Sequence, residues 1–346
     1  MVGDSCCCSK GNGGKGGLVS ADKKKDRAVR HCLLKMTFLA SETDLGNPQF
    51  QQQKPTVCVL DASSYVGFWI LKGLVSRGYW VHAAVLSNGN REIKSKVEEM
   101  SVFQKRITVF PVDVLDYHSI TEALKGCSAL FCSLDSSDAY DDLKVDMEVR
   151  GAINVVEACA QVDSVGKMVF SSSLTAAIWR ENISLVKDVD EKSWSDPELC
   201  RNLKLWYPLA KTLSERAAWA LAMDRMVNMV SVNAGLVLGP GIARLNPGPT
   251  MSYLKGAAQM CENGVLASVD VEFLADVHIR TLEDEYSIGR YFCFTDVLST
   301  EKDCVRLAKR LNSLISVPPR YECEKDILYE ERLSNKKLKK LVEVAA

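Results

Sequence analysis

Val57-Cys-Val-Leu-Asp-Ala-Ser-Ser-Tyr-Val-Gly67 passes from an apolar strand through a small polar turn into a helix-like segment, and this passage decides the fold. A valine-rich run followed at once by turn residues and then by an amphipathic stretch is the opening unit of a strand–turn–helix repeat. The alternation continues outward from it. Further strands are expected at 81–85, 107–112, 129–133, 167–171 and 227–232, with helices over 67–76, 92–100, 120–125, 145–160 and 207–223. Strands joined through helices lie parallel, and right-handed crossovers put the helices on both faces of the sheet. The expected fold class is therefore α/β, a doubly wound parallel sheet of the Rossmann type with a smaller C-terminal substrate lobe. Residues 1–54 are expected as a disordered N-terminal segment and 55–240 as the nucleotide-binding domain. Residues 241–346 are expected to form mainly the lobe, interleaved with the core. The helix over 145–160 is expected to bury the side that carries Val149, Ile153, Val156 and Ala160.

The 346 residues suffice for one such core with a lobe. A net charge of −1 gives no electrostatic reason to expect nucleic acid or an anionic membrane as partner, and fits an enzyme acting on small molecules. The 13 cysteines are odd in number and scattered, several inside apolar runs (Cys58, Cys132, Cys293). Reduced buried thiols in a cytoplasmic protein are expected from them, not a disulfide framework. No apolar run reaches the ~18 residues of a membrane helix, and no His/Cys grouping has metal-ligand spacing. The N-terminal segment holds Cys6-Cys7-Cys8, a glycine-lysine stretch and Lys23-Lys24-Lys25, a composition that builds no core. S-acylation or organelle targeting are its sharper readings. Gly3 stands one place too late for N-myristoylation, and Asp4, Asp22 and Asp26 are out of place in a transit peptide. Asn182-Ile-Ser184 is a glycosylation sequon that a cytoplasmic chain would not use.

In a doubly wound sheet, ligands bind at the carboxyl ends of the strands, so the turn after the first strand is the expected cradle of a dinucleotide pyrophosphate. A glycine fingerprint has glycines at the first, fourth and seventh positions of this turn; here they are Asp61, Ser64 and Gly67. Aspartate tolerates left-handed backbone and serine is small, so the turn can still form. The Asp61 carboxylate opposes a pyrophosphate unless it points away or caps the helix. An ordinary strand–turn–helix is the alternative. At the end of the second strand, Leu86-Ser87-Asn88-Gly89-Asn90-Arg91 offers no acid for a ribose diol. This favours NADP(H) over NAD(H), with Arg91 or Lys94 either as phosphate partners or as solvated helix residues. Asp113 is either an adenine acceptor or a local cap.

Tyr207-Pro-Leu-Ala-Lys211 puts a phenol and an ammonium on one helix face, where the cation favours the phenolate. Tyr140…Lys144 and Tyr321…Lys325 share the spacing but lie in charged stretches and read as surface residues. Tyr207 differs in its setting. Ser171-Ser172-Ser173 closes the fifth strand at the edge where a nicotinamide would lie, and Leu213, Ala217, Ala220 and Leu221 give the helix an apolar face.

Taken with 57–69, Gly78-Tyr79, Val112-Asp113, 151–159, Trp194-Ser-Asp196, 215–219, 236–240, Val269-Asp270-Val271, Gly289-Arg-Tyr291 and 334–338, these segments resemble the extended short-chain dehydrogenase/reductases (SDR). Within them the chain is similar to the plant cinnamoyl-CoA reductase and dihydroflavonol reductase group, in a branch linked with defence lignification. The resemblance implies hydride transfer from NADPH to an aldehyde, ketone or CoA-thioester carbonyl of a phenylpropanoid-like molecule. It implies Tyr207 as general acid, Ser173 as the hydroxyl that holds the carbonyl oxygen, and Lys211 as the group that lowers the tyrosine pKa and binds the nicotinamide ribose. It further implies cofactor contacts from Ala62, Ser63, Ser64, Tyr65, Val66, Gly67, Asp113, Val114, Ser133, Leu134, Ala234 and Val237. The chain departs from the group at Asp61, Ser64, Leu86 and Ala234. It also has Leu205-Trp-Tyr-Pro-Leu-Ala-Lys211 in place of Asn-Trp-Tyr-Cys-Tyr-Gly-Lys, which argues against cinnamoyl-CoA itself. Two readings follow: an NADP(H)-dependent reductase, or a relative that keeps the fold as a binding or regulatory module.

Overall fold

Alternating apolar residues build the centre of the computed structural model, which describes residues 54–135, 139–181, 183, 188–311 and 330–343. The strands are β1 (Thr56–Leu60), β2 (Trp80–Leu86), β3 (Ile107–Val112), β4 (Ala129–Cys132), β5 (Lys167–Ser173), β6 (Met229–Ala234), β7 (Leu236–Leu238), β8 (Ala267–Asp270), β9 (Gly289–Cys293) and β10 (Asp296–Val297). Helices between them are α1 (Tyr65–Ser76), α2 (Arg91–Phe103), α3 (Tyr117–Leu124), α4 (Asp142–Gln161), α5 (Thr175–Ile178), α6 (Pro197–Asn202) and α7 (Trp206–Arg225). Beyond β7 come α8 (Ile242–Leu245), α9 (Pro247–Tyr253), α10 (Ala257–Glu262), α11 (Val271–Glu283), α12 (Glu301–Arg310) and α13 (Lys336–Glu343).

Seven strands form one parallel sheet in the order β3-β2-β1-β4-β5-β6-β9, and β10-β8-β7 form a small second sheet. Val57, Val59, Val81, Ala83, Phe131 and Val169 share one apolar cluster with α1, α2 and α11. Cys58, Leu60, Ala84, Leu130, Cys132 and Phe170 share another with α3, α4 and the rear of α7. Apolar residues at both parities of each strand are what a sheet covered on two faces requires. The fold class read from the sequence, a doubly wound α/β sheet with a C-terminal region beyond it, is the one observed.

Three local differences matter for the site. β5 runs on to Ser173, so its last serines are strand residues, in register with Asn233 and Ala234 of β6. A seventh strand, β9, comes back from the C-terminal region to pair with β6. On α4, Val156 is buried as expected but Ile153 is 40% exposed, and the buried side also carries Val145, Glu148, Ala152, Val155 and Cys159. The helix meets its neighbour at Gly151, where an added Cβ would lie 3.2 Å from Val114, and that approach sets the face.

The sheet order reverses at β1, whose neighbours are β2 and β4; Leu60 is in register with Ala84 on one side and Cys132 on the other. The turn after β1 therefore opens into the crevice where doubly wound sheets bind ligands. The N-terminal cysteine cluster and basic run, Asn182 and Ser184 of the sequon, and Tyr321 with Lys325 lie outside the described residues. Among the described residues no helix is long and apolar enough to cross a membrane, and no group of His, Cys, Asp and Glu is placed to hold a metal ion. Among the described residues Cys58, Cys127, Cys132, Cys159, Cys200, Cys261 and Cys293 are buried thiols outside any disulfide.

Candidate active site

Asp61 folds back under its own turn. Its Oδ1 accepts from the Ser63 N–H at 2.7 Å, from the Leu86 N–H at 3.4 Å and from the Ser63 hydroxyl. The carboxylate neither faces solvent nor caps α1. Ser64 is the cap, accepting from the Gly67 N–H at 3.0 Å while its hydroxyl donates to the Asp61 carbonyl at 2.8 Å. Burial raises Asp61 to about 6, more than these donors lower it. A Cβ on Gly67 would stand 1.9 Å from the Asp61 carbonyl oxygen, so glycine is required by this close approach. The β2–α2 loop packs on the same turn, since a Cβ on Gly89 would meet Ser63 Oγ at 2.1 Å.

A cleft, open at its mouth, begins at this turn. Of the expected cofactor residues, Ser63, Ser64, Tyr65, Val114 and Leu134 line it, together with Asp61, Leu86 and Asn88–Asn90. Ala62 and Val66 are buried behind the turn. Ser133, at the carboxyl end of β4, is buried with an Oγ that has no hydrogen-bond partner. Asp113 is exposed, and its Oδ1 accepts from the Leu115 N–H at 2.9 Å, the local cap foreseen as its alternative role. Ala234 ends β6 and Val237 belongs to the small sheet; neither lines the cleft, nor do Arg91 and Lys94.

β5 and α7 bring Ser173, Tyr207 and Lys211 together. α7 begins without a side-chain cap, and Pro208 in its first turn lacks an N–H that would otherwise be left unpaired. Ser173 Oγ accepts from the Thr175 N–H at 3.2 Å and the Thr175 hydroxyl at 3.0 Å, and its hydroxyl acts on Tyr207 so as to lower the phenol's pKa. Lys211 Nζ lies 5.4 Å from the centre of the Tyr207 ring. Its ammonium is paired with Asp135 Oδ1 at 2.7 Å and Glu148 Oε1 at 3.0 Å.

Sequence reasoning missed both carboxylates. A signal existed for Glu148: it is the one charged residue on the buried face of α4, between Val145 and Ala152. Asp135 stands in a loop and carried no pattern. Tyr140, expected at the surface, is instead buried; it donates to Glu148 Oε2 at 2.8 Å and meets the Tyr207 ring edge-on at 4.9 Å. The charged residues around it are the capped first turn of α4, where Asp141 accepts from the Lys144 N–H at 2.9 Å. Lys211 does act to lower the pKa of Tyr207, as expected, but other groups act against it. Burial and then the Asp135 charge push the Tyr207 phenol above its ordinary value, outweighing the downward pull of Lys211 and of the Ser173 hydroxyl. For Lys211, burial alone would lower the pKa, but Asp135 and Glu148 more than reverse it and hold the amine well above its usual range.

The profile of the 3-beta hydroxysteroid dehydrogenase/isomerase family matches residues 58–286. The chain belongs to that family. Cinnamoyl-CoA reductase 1 of Petunia hybrida is 32% identical over 289 residues, which are 82% of this chain and 86% of that protein. Vestitone reductase from alfalfa (Medicago sativa) shares the fold with a TM-score of 0.62 at 23% identity, over 83% of this chain and 92% of the other. A yeast methylglyoxal/isovaleraldehyde reductase solved with NADPH does so with a TM-score of 0.61 at 18% identity, over 83% and 93%. This dehydrogenase/isomerase-family chain thus has the extended SDR fold and is related to plant reductases of the cinnamoyl-CoA and dihydroflavonol types.

Proposed function

We propose that the chain is an NADP(H)-linked reductase that acts on an aldehyde, ketone or CoA-thioester carbonyl of a phenylpropanoid-like small molecule. The observation that carries this reading is the grouping of Ser173, Tyr207 and Lys211 on β5 and α7, where Lys211 pairs with Asp135 and Glu148 of the cleft that begins at the N-terminus of a twelve-residue helix. A dinucleotide fits these residues in part through that helix end. The Ser63, Ser64 and Gly67 N–H groups are bonded within the turn, which leaves those of Tyr65 and Val66 for a pyrophosphate, aided by the helix dipole. The unpartnered Ser133 Oγ adds a polar position that a ligand would satisfy. NADPH, when bound, supplies the hydride.

Tyr207 then gives its proton to the carbonyl oxygen, and Ser173 donates a hydrogen bond that holds the oxygen in place. In this reading residues 55–240 bind the nucleotide and 241–346 mainly shape the substrate lobe. The buried thiols outside any disulfide suit a reducing compartment such as the cytoplasm. The internally bonded turn favours a second reading, in which the fold binds but does not turn over.

Titrating intrinsic tryptophan fluorescence with NADPH and NADH tests the two. Saturable quenching by NADPH below about 1 mM, in the range of ordinary cofactor affinities, is expected; no binding of either nucleotide would sink the reductase reading. In Tyr207→Phe, aldehyde reduction is expected to fall by about 100-fold or more while nucleotide affinity stays unchanged. Preserved turnover would remove Tyr207 from the chemistry.

A further inference from the structure

Lys211 is a buried cation with two anions on it. Glu148 and Lys211 side chains are 4% and 3% exposed, and Asp135, at 18%, is the open member of the trio. The acids come from separate elements, the loop after β4 and the middle of α4. Glu148 is fixed further by Tyr140 Oη at 2.8 Å and by Ser214 Oγ at 2.9 Å, both donating to it. One carboxylate would neutralise a buried ammonium. With both acids ionised the trio would carry a net charge of −1 beside the Tyr207 ring; burial raises the Glu148 pKa, and the Lys211 charge acts against that rise.

We propose that Asp135 and Glu148 are positioning residues of the reductive site: they hold Lys211 as a neutralised cation and so keep Tyr207 in its proton-bearing form across the neutral and mildly alkaline range. This deepens the carbonyl-reductase reading and rests on it for its purpose. A lone ammonium 5.4 Å from the ring would favour the phenolate. Two carboxylates on that ammonium reverse the sign of the local field. At 5.4 Å a unit charge such as that of Lys211 moves a buried titration by about two pH units. The groups facing Tyr207 are Lys211 on its own helix, Asp135 after β4, Tyr140 and Glu148 at α4, Ser173 on β5 and Tyr253 on α9. Lys144, one turn before Glu148, lines the same cleft. The upward displacement of Tyr207, caused by burial and then by Asp135, agrees with this arrangement.

The test is carbon-13 NMR of protein labelled at tyrosine Cζ, without nucleotide or substrate, with the Tyr207 signal assigned by its loss in Tyr207→Phe. Wild-type Tyr207 is expected to remain a phenol up to pH 10. In the Asp135→Asn, Glu148→Gln double variant, where neither anion raises the phenol, the signal is expected to move toward the phenolate at lower pH than in the wild type, whether or not the buried Lys211 keeps its charge. A folded double variant whose Tyr207 titrates as in the wild type overturns the proposal, as does a wild-type Tyr207 that ionises below pH 9. Should the double variant not fold, Asp135→Asn alone is read the same way, by whether Tyr207 begins to ionise at lower pH than in the wild type. Asp135→Glu, which keeps the charge, is expected to behave as the wild type. The nucleotide titration decides the reductase reading separately, so a failed titration with a displaced Tyr207 signal leaves the charge assignment standing.

Discussion

Asp61 is a carboxylate held at 2% exposure by a turn that wraps around it, and this gives it a pH signature. Burial raises it from 3.8 to about 6 against the donors that lower it, so the folded chain binds this proton more tightly than the unfolded one. Its contribution to stability is complete below about pH 4, falls as pH rises through about 6, and is lost above that, a swing of roughly 3 kcal/mol. Asp61→Asn keeps an acceptor for the Ser63 and Leu86 N–H groups without the charge. Between pH 4.5 and 7.5, urea unfolding of the wild type is expected to weaken by about 2 kcal/mol relative to Asp61→Asn; parallel pH dependences would show that Asp61 titrates as an ordinary surface acid. At this scale the sequence was half legible. Gly67 could be placed because the turn motif itself demands a close approach. The hook of Asp61 onto Leu86 depends on a neighbouring strand 25 positions away, and no local pattern encodes it. Asp135 was hidden for the same reason, since its meaning is an ammonium on α7, and Tyr140 because its partner is a carboxylate on α4.

On α7, Tyr207, Lys211 and Glu215 follow at intervals of four, and the third ties the helix to the sheet. Glu215 is fully buried; it accepts from Ser172 Oγ, Ser231 Oγ and Asn233 Nδ2, each at 2.7 Å, and pairs with Arg290 Nε at 2.9 Å. Arg290 also lies over the Trp194 ring at 3.8 Å. Segments that the sequence offered as separate signatures, 169–173, 194–196, 215–219 and 289–291, thus meet at one buried ion pair joining β5, β6, β9 and α7. Their order along the chain was visible. Their common cause was not, because Glu215 and Arg290 are 75 positions apart. Breaking one partner of a buried pair leaves the other charge uncompensated, so Glu215→Gln is expected to cost about 3 kcal/mol in urea unfolding. The Glu215→Leu, Arg290→Met double variant is expected to recover most of that loss. A cost below about 1 kcal/mol for Glu215→Gln would mean that the neutral donors alone hold the helix.

Across the molecule, the stretch after β7 links the small sheet back to the nucleotide turn. Tyr65 Oη donates to the Pro240 carbonyl at 3.1 Å, and Asn90 Nδ2 donates to the Leu245 carbonyl at 3.0 Å. Arg244 pairs with Glu92, and Leu245 and Asn246 line the cleft mouth. The return of this stretch over the cleft was not legible in the sequence, because the contacts join backbone carbonyls to side chains far earlier in the chain. Gly239 is the tightest point: a Cβ there would lie 2.5 Å from a Val271 methyl and 2.7 Å from Tyr65 Oη. Overpacking of this kind costs about 1–3 kcal/mol, so Gly239→Ala is expected to lower urea stability by that amount. Because the displaced Tyr65 belongs to the turn, NADPH affinity is expected to fall several-fold in the same protein. Arg244→Ala supplies the contrast. Its ion pair joins side chains 65% and 37% exposed, and removing it is expected to change stability by less than about 0.5 kcal/mol. If Gly239→Ala matched the wild type in both measurements, the coupling between the returning stretch and the nucleotide turn would be absent, and the cleft mouth would be set by the β2–α2 loop alone.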